Sequence, residues 1–172
     1  MVGGTSAGGN MAAVVSHLWR DEGLKPAITG AHLMIPSICN VDAMPEKYKK
    51  DNHSWEQNKN AAILSGKACA LFTNNYLAKD EDTKDPLFSP WLFPTGQKNL
   101  PPTYFQICGL DPLRDEALIF ERILRDEHGI KTKVDVYPGQ PHGFWSVAPK
   151  MKASQTFVED SVKGVEWLLQ QK

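Results

Sequence analysis

The sequence predicts an α/β fold built on a mostly parallel sheet that is covered on both faces. Three features of the 172-residue chain carry that expectation. Short apolar runs alternate with stretches whose apolar residues recur at helical spacing. A glycine-rich turn leads from the first run straight into the first helix, and two later runs each end in a short polar loop. With 41% hydrophobic and 23% charged residues, the chain has the composition of one globular domain, taken as residues 1–172.

The elements follow in order. Met11, Val14, Val15 and Leu18 fall at helical spacing after the glycine-rich turn, and Gly23 followed by Lys25-Pro26 stops that helix. Residues 28–35 read as a buried strand ended by Pro36. Residues 103–108 read as a strand, 115–127 as a helix closed by Gly129, and 131–137 as a strand with Val134 and Val136 on one face. A last helix, about 156–170, is expected to turn Val158, Val162, Val165 and Leu169 inward. Residues from about 41 to 100 are different material. They mix Pro, Asn, Lys and Asp with Trp55, Phe72, Tyr76, Phe88, Trp91 and Phe93 around one helical stretch near 60–77, and they read as an insertion.

Composition excludes several function classes. The net charge of -1 comes from scattered charges with no basic stripe, so nucleic acid is not expected as a partner; a small, neutral or weakly charged ligand is. No stretch approaches the roughly 20 apolar residues of a membrane span, and no leader-like segment opens the chain, so the expected location is cytoplasmic. Cys39, Cys69 and Cys108 are odd in number and far apart, which fits free thiols in a reducing compartment. His17, His32, His53 and His128 lack metal-ligand spacing with another His, Cys or carboxylate, so neither a metal nor a cofactor is expected.

Chemistry concentrates at three places. Gly4-Thr5-Ser6-Ala7-Gly8 fits the G-x-S-x-G turn that carries a nucleophilic serine between a strand and a helix. Such a turn strains the serine backbone, and its flanking glycines are expected because side chains there would strike neighbouring backbone. The amide of Ala7, at the helix N-terminus, would face a developing oxyanion. A serine nucleophile also needs a base and an acid that orients the base. Asp111 follows the strand 103–108 in Asp111-Pro112-Leu113-Arg114-Asp115-Glu116, and His142 follows the strand 131–137 in Pro141-His142-Gly143-Phe144. Each lies just past the carboxyl end of a strand, where open α/β sheets assemble their sites. Helix capping by Asp111 is the competing reading, and Asp115 and Glu116 are expected as partners of the helix dipole in its first turn.

These stretches resemble the hormone-sensitive-lipase-like family of α/β-hydrolases, which includes arylacetamide deacetylases and many carboxylesterases. Gly4-Thr5-Ser6-Ala7-Gly8-Gly9-Asn10 is similar to that family's G-D-S-A-G-G-N elbow, Asp111 to Glu116 to its D-P-L-R-D-E block, and Pro141 to Phe144 to its histidine loop. The resemblance implies a partial α/β-hydrolase fold running from the nucleophile elbow to the C-terminal helix. It also implies hydrolysis of a small-molecule carboxylic ester by Ser6, His142 and Asp111. The insertion at about 41–100 would form part of a cap over the acyl pocket; its aromatic content suggests an apolar acyl or aryl ester, with Phe144 and Trp55, Phe88 or Trp91 as candidate substrate contacts, the last three equally readable as plain core. Family members carry roughly 150 residues and an H-G-G-G oxyanion motif ahead of the elbow. The only His-Gly pairs here are His128-Gly129 and His142-Gly143. The chain alone is therefore expected to be weakly active and to self-associate through the sheet edge at the elbow strand. Two rival functions share these motifs: a serine peptidase of the prolyl-oligopeptidase type, and a non-catalytic remnant that binds a ligand or a partner chain.

Overall fold

The computed structural model describes residues 1–171, apart from the side chains of Asp80 and Glu81. Four parallel strands form one sheet: β1 (Val2–Thr5), β2 (Ala31–Met34), β3 (Thr103–Leu110) and β4 (Thr132–Pro141), in the order β1-β2-β3-β4. Helix α1 (Ala7–Asp21) follows β1. The segment between β2 and β3 carries three α-helices, α2 (Glu46–Lys49), α3 (Ser54–Gln57) and α4 (Gly66–Tyr76), followed by two short 3-10 turns. Helix α5 (Arg114–Arg122) continues through a π turn at Ile123–Glu127, and α6 (Phe144–Val147) and α7 (Lys152–Leu169) close the chain. Among the described residues no helix is long and apolar enough to cross a membrane.

Period-two alternation sorts each strand into two faces. Ala31, Leu33, Phe105 and Ile107 join Ala12 and Ala13 of α1 and Ala117, Ile119 and Phe120 of α5 in the larger apolar core. The opposite face is unusually polar. His32 and Gln106 are hydrogen bonded at 2.9 Å, Gln106 donates to the Tyr137 hydroxyl at 2.7 Å, and Tyr104 donates to Asp135 at 2.7 Å. Helix α7 covers this face.

That polar face corrects the expected orientation of α7. Val158, Val162 and Leu169 are 55%, 56% and 54% exposed, while Ser154, Phe157, Gly164 and Leu168 are buried. The inward face is chosen by what the sheet offers. Ser161 Oγ donates to Gln106 Oε1 at 2.8 Å, and a methyl group at Gly164 would lie 1.9 Å from Tyr104 Cε1, so only glycine admits the ring. Polar and steric fit to the sheet outweighs the valine stripe.

Other boundaries shift for local reasons. The second strand is shorter than the expected 28–35: it starts at Ala31 and ends at Met34, where Ile35, at φ +41, still donates its amide to Gln106 O at 2.7 Å as the chain turns away. Val134 packs against the larger core, whereas Val136, on the same face, is 44% exposed at the edge strand. The single helix expected near 60–77 is α4, whose N-terminal Ser65 caps it by accepting a hydrogen bond from the Ala68 amide at 3.2 Å.

Candidate active site

The turn from β1 to α1 holds Ser6 at φ 57, ψ -118, a conformation that non-glycine residues adopt only under constraint. Two bonds hold it there: Ser6 N–H donates to Met34 O at the end of β2 at 2.8 Å, and Asn10 N–H donates to Ser6 O at 3.0 Å. The glycine requirement at this turn is one-sided. A methyl group at Gly4 would lie 2.3 Å from Gly8 O, but a methyl group at Gly8 meets nothing within 4 Å. The expectation of a steric clash at both flanking glycines is therefore corrected at Gly8. Ala7, the first residue of α1, has an amide with no acceptor inside the helix, at the positive end of the helix dipole.

Ser6, His142 and Asp111 meet at the carboxyl ends of β1, β4 and β3. His142 Nδ1 lies 2.6 Å from Asp111 Oδ2, and His142 Nε2 lies 2.9 Å from Ser6 Oγ. A carboxylate only accepts, so Nδ1 carries the proton and Nε2 is left to accept from the serine hydroxyl. The other oxygen of Asp111, Oδ1, accepts the Leu113 amide at 2.9 Å. Asp111 thus does the local turn work that a capping residue would do and still presents its second oxygen to the imidazole. It is 1% exposed and His142 8% exposed, so water does not compete for this hydrogen bond.

Asp115 and Glu116 have roles that the sequence does not reveal. Both lie in the first turn of α5, where the helix dipole is expected to hold them, and they also reach out to backbone amides of other segments. Asp115 Oδ2 accepts from His53 N and Ser54 N at 2.8 and 2.7 Å. Glu116 Oε1 accepts from Ile38 N and Cys39 N at 2.6 and 3.3 Å. Burial alone would raise the Asp115 carboxyl, but the hydrogen bonds from Arg114, Ser54 and His53 outweigh it and hold the group below its ordinary range. At Glu116 burial dominates and pushes the carboxyl up to about 8, against the same kind of amide bonds and with the nearby Asp111 charge adding to the rise. Asn10, the last residue of the elbow motif, clamps two further segments: Nδ2 donates to Ser37 O at 2.9 Å and to Phe88 O at 2.7 Å.

The four aromatic residues expected at the substrate divide into two pairs. Trp55 and Phe88 are half-buried. Trp91 and Phe144 are 6% and 3% exposed and are packed into core, Trp91 against Tyr48 and Phe120, Phe144 against Tyr137 and Phe157. Internal packing holds these two side chains, because their neighbours on α2, α5, β4 and α7 enclose them. The three cysteines are free thiols, and burial is the first cause pushing each of them up to about 12. Among the described residues no group of three or more His, Cys, Asp or Glu is arranged to hold a metal ion.

A family model described as alpha/beta hydrolase fold matches residues 1–146, a span that includes all three of Ser6, Asp111 and His142. The chain belongs to the α/β-hydrolase fold family. Within the α/β-hydrolases it is a hormone-sensitive-lipase-like member, as its three motifs imply. It is 39% identical over 168 residues to an AB hydrolase superfamily protein of Schizosaccharomyces pombe, a match covering 98% of this chain and 48% of that one. It is 36% identical over 171 residues to a versiconal hemiacetal acetate esterase of Dothistroma septosporum, covering 99% of this chain and 51% of the relative. The crystal structure of a vibralactone cyclase superposes with a TM-score of 0.89 at 41% identity, covering 96% of this chain and 48% of that one. The chain spans about half the length of the curated relatives it matches.

Proposed function

We propose that this chain carries the acyl-transfer site of a carboxylic-ester hydrolase, with Ser6 as nucleophile, His142 as general base and acid, and Asp111 as the group that orients His142. The observation that carries the reading is the hydrogen-bonded chain from Asp111 through His142 to Ser6, at 2.6 and 2.9 Å, on a strained turn. In this mechanism Ser6 Oγ attacks the ester carbonyl carbon as its proton passes to His142 Nε2. The tetrahedral oxyanion meets the Ala7 amide at the N-terminus of α1, and the proton then goes to the departing alcohol. Water repeats the sequence on the acyl-serine and frees the acid.

The half-buried Trp55 and Phe88 support an apolar substrate wall, with the insertion at about 41–100 as part of a cap over it. The similarity to a versiconal hemiacetal acetate esterase supports an acetate or other short acyl ester. The free thiols support a cytoplasmic setting, and the outer edge of β1, which among the described residues pairs with β2 alone, supports self-association through that edge. The test is hydrolysis of aryl acetates and longer acyl homologues, together with labelling by a serine-directed phosphonate. Activity and labelling should both vanish in Ser6→Ala; labelling that survives in that variant overturns the assignment.

A second reading is favoured by the likeness to the vibralactone cyclase: the acyl-serine is resolved by a hydroxyl of the same acyl chain instead of water, giving a lactone. Product analysis with a hydroxy-acyl ester separates the two outcomes.

A further inference from the structure

Helix α3 is a single turn, too short to hold itself together, so tertiary bonds must hold it. The polar residues at its two ends are buried, Ser54 at 0% and Asn58, just past its C-terminus, at 7% exposed, and buried polar groups require partners. Those partners lie in the stretch from Asp111 through the first residues of α5. Ser54 Oγ donates to Pro112 O at 2.9 Å and accepts from Asp115 N at 3.0 Å. Arg114 Nη2 donates to Gln57 Oε1 at 2.8 Å. Asn58 Nδ2 donates to the carbonyl oxygen of Asp111 itself at 3.0 Å.

The last bond has a distinct consequence. Asp111 Oδ1 is tied to Leu113 N, and its carbonyl oxygen also accepts at 3.1 Å from the amide of Arg114, the first residue of α5, so both of these donors lie within three residues of Asp111. Asn58 comes from the insertion, 53 residues away in sequence. It ties the Asp111 backbone to a segment distant in sequence, in addition to the anchor that α5 supplies through Arg114 N. The 2.6 Å bond from His142 Nδ1 to Asp111 Oδ2 depends steeply on distance and angle, so a small rotation of the loop degrades it.

We propose that Asn58 is a positioning residue for the acyl-transfer site, holding the Asp111 backbone from the insertion so that its carboxylate stays aligned on His142. The inference rests on the ester-hydrolase reading for its kinetic arm only. Misplacing an orienting group by a fraction of an ångström costs turnover rather than ground-state binding, so the intact protein carrying Asn58→Ala should lose about tenfold in kcat with KM unchanged. Asn58→Asp keeps the volume but turns an acceptor toward an acceptor, and should lose at least as much. Asn58→Gln retains an amide donor and should recover part of the loss. Gln57→Ala removes a bond of the same helix at its exposed rim and should keep full kcat. The structural readout is the low-field proton resonance of His142 Nδ1–H, which should shift or broaden in Asn58→Ala and Asn58→Asp and stay in place in Gln57→Ala. Wild-type kcat and an unmoved resonance in both Asn58 variants overturn the proposal, as does an equal loss in Gln57→Ala. A wild-type protein that cleaves no ester defeats the hydrolase reading instead, and the resonance still tests the role of Asn58.

Discussion

Gly4 and Gly8 approach so closely that a methyl group on Gly4 would lie 2.3 Å from the carbonyl oxygen of Gly8, while a methyl group on Gly8 would touch nothing. The two glycines of the elbow motif are therefore unequal. Gly4→Ala forces backbone apart and should cost about 3 kcal/mol or more, with loss of phosphonate labelling at Ser6. Gly8 sits inside α1, so Gly8→Ala should raise stability by about 0.5–1 kcal/mol. Urea midpoints of the two variants check both; equal destabilisation would contradict the asymmetry.

Asp111→Asn separates chemistry from folding. The amide oxygen can still accept the Leu113 N–H, so the loop keeps its turn. The amide nitrogen then faces His142 Nδ1 and favours the wrong tautomer, which should lower kcat by about 10^4-fold. A thermal midpoint within a few degrees of the wild type, measured on the same preparation, is the accompanying expectation.

Glu116 predicts a pH dependence of stability. Its folded carboxyl is raised from the ordinary 4.5 to about 8, so between those values the folded state holds a proton that the unfolded chain has released. The stability this contributes is whole below about 4.5 and is lost as the pH rises through about 8. Glu116→Gln, which cannot titrate and can still accept the Ile38 and Cys39 amides, should gain on the wild type as pH is raised from 5 to 9. Parallel denaturation curves of the two proteins across that range would remove the argument.

Trp91 and Trp55 should respond differently to truncation. Trp91→Ala empties a site between Tyr48 and Phe120 and should cost about 3–5 kcal/mol in stability. Trp55→Ala, at a half-buried position, should cost less than about 1 kcal/mol and act instead on KM for aryl esters. Calorimetry and steady-state kinetics on both variants distinguish a core residue from a substrate contact.

By itself the sequence determined the parallel α/β alternation, the elbow around Ser6, and the placing of Asp111 and His142 after the third and fourth strands. These are legible because each rests on a short-range rule: a period of two or 3.6, a strand–turn–helix junction, or a loop following a strand. What only the tertiary structure decided involves partners distant in sequence. The buried face of α7 is set by the Tyr104 ring, which leaves room for nothing larger than Gly164, and by Gln106 meeting Ser161, so a regular valine stripe was a misleading guide. Trp91 and Phe144 became core because Phe120 and Phe157 come from later elements to enclose them. Asp115, Glu116 and Asn58 carry no local mark of their work, since the amides and the carbonyl they bind lie 61, 78 and 53 residues away, and a hydrogen bond across such a separation exists only once the chain has folded.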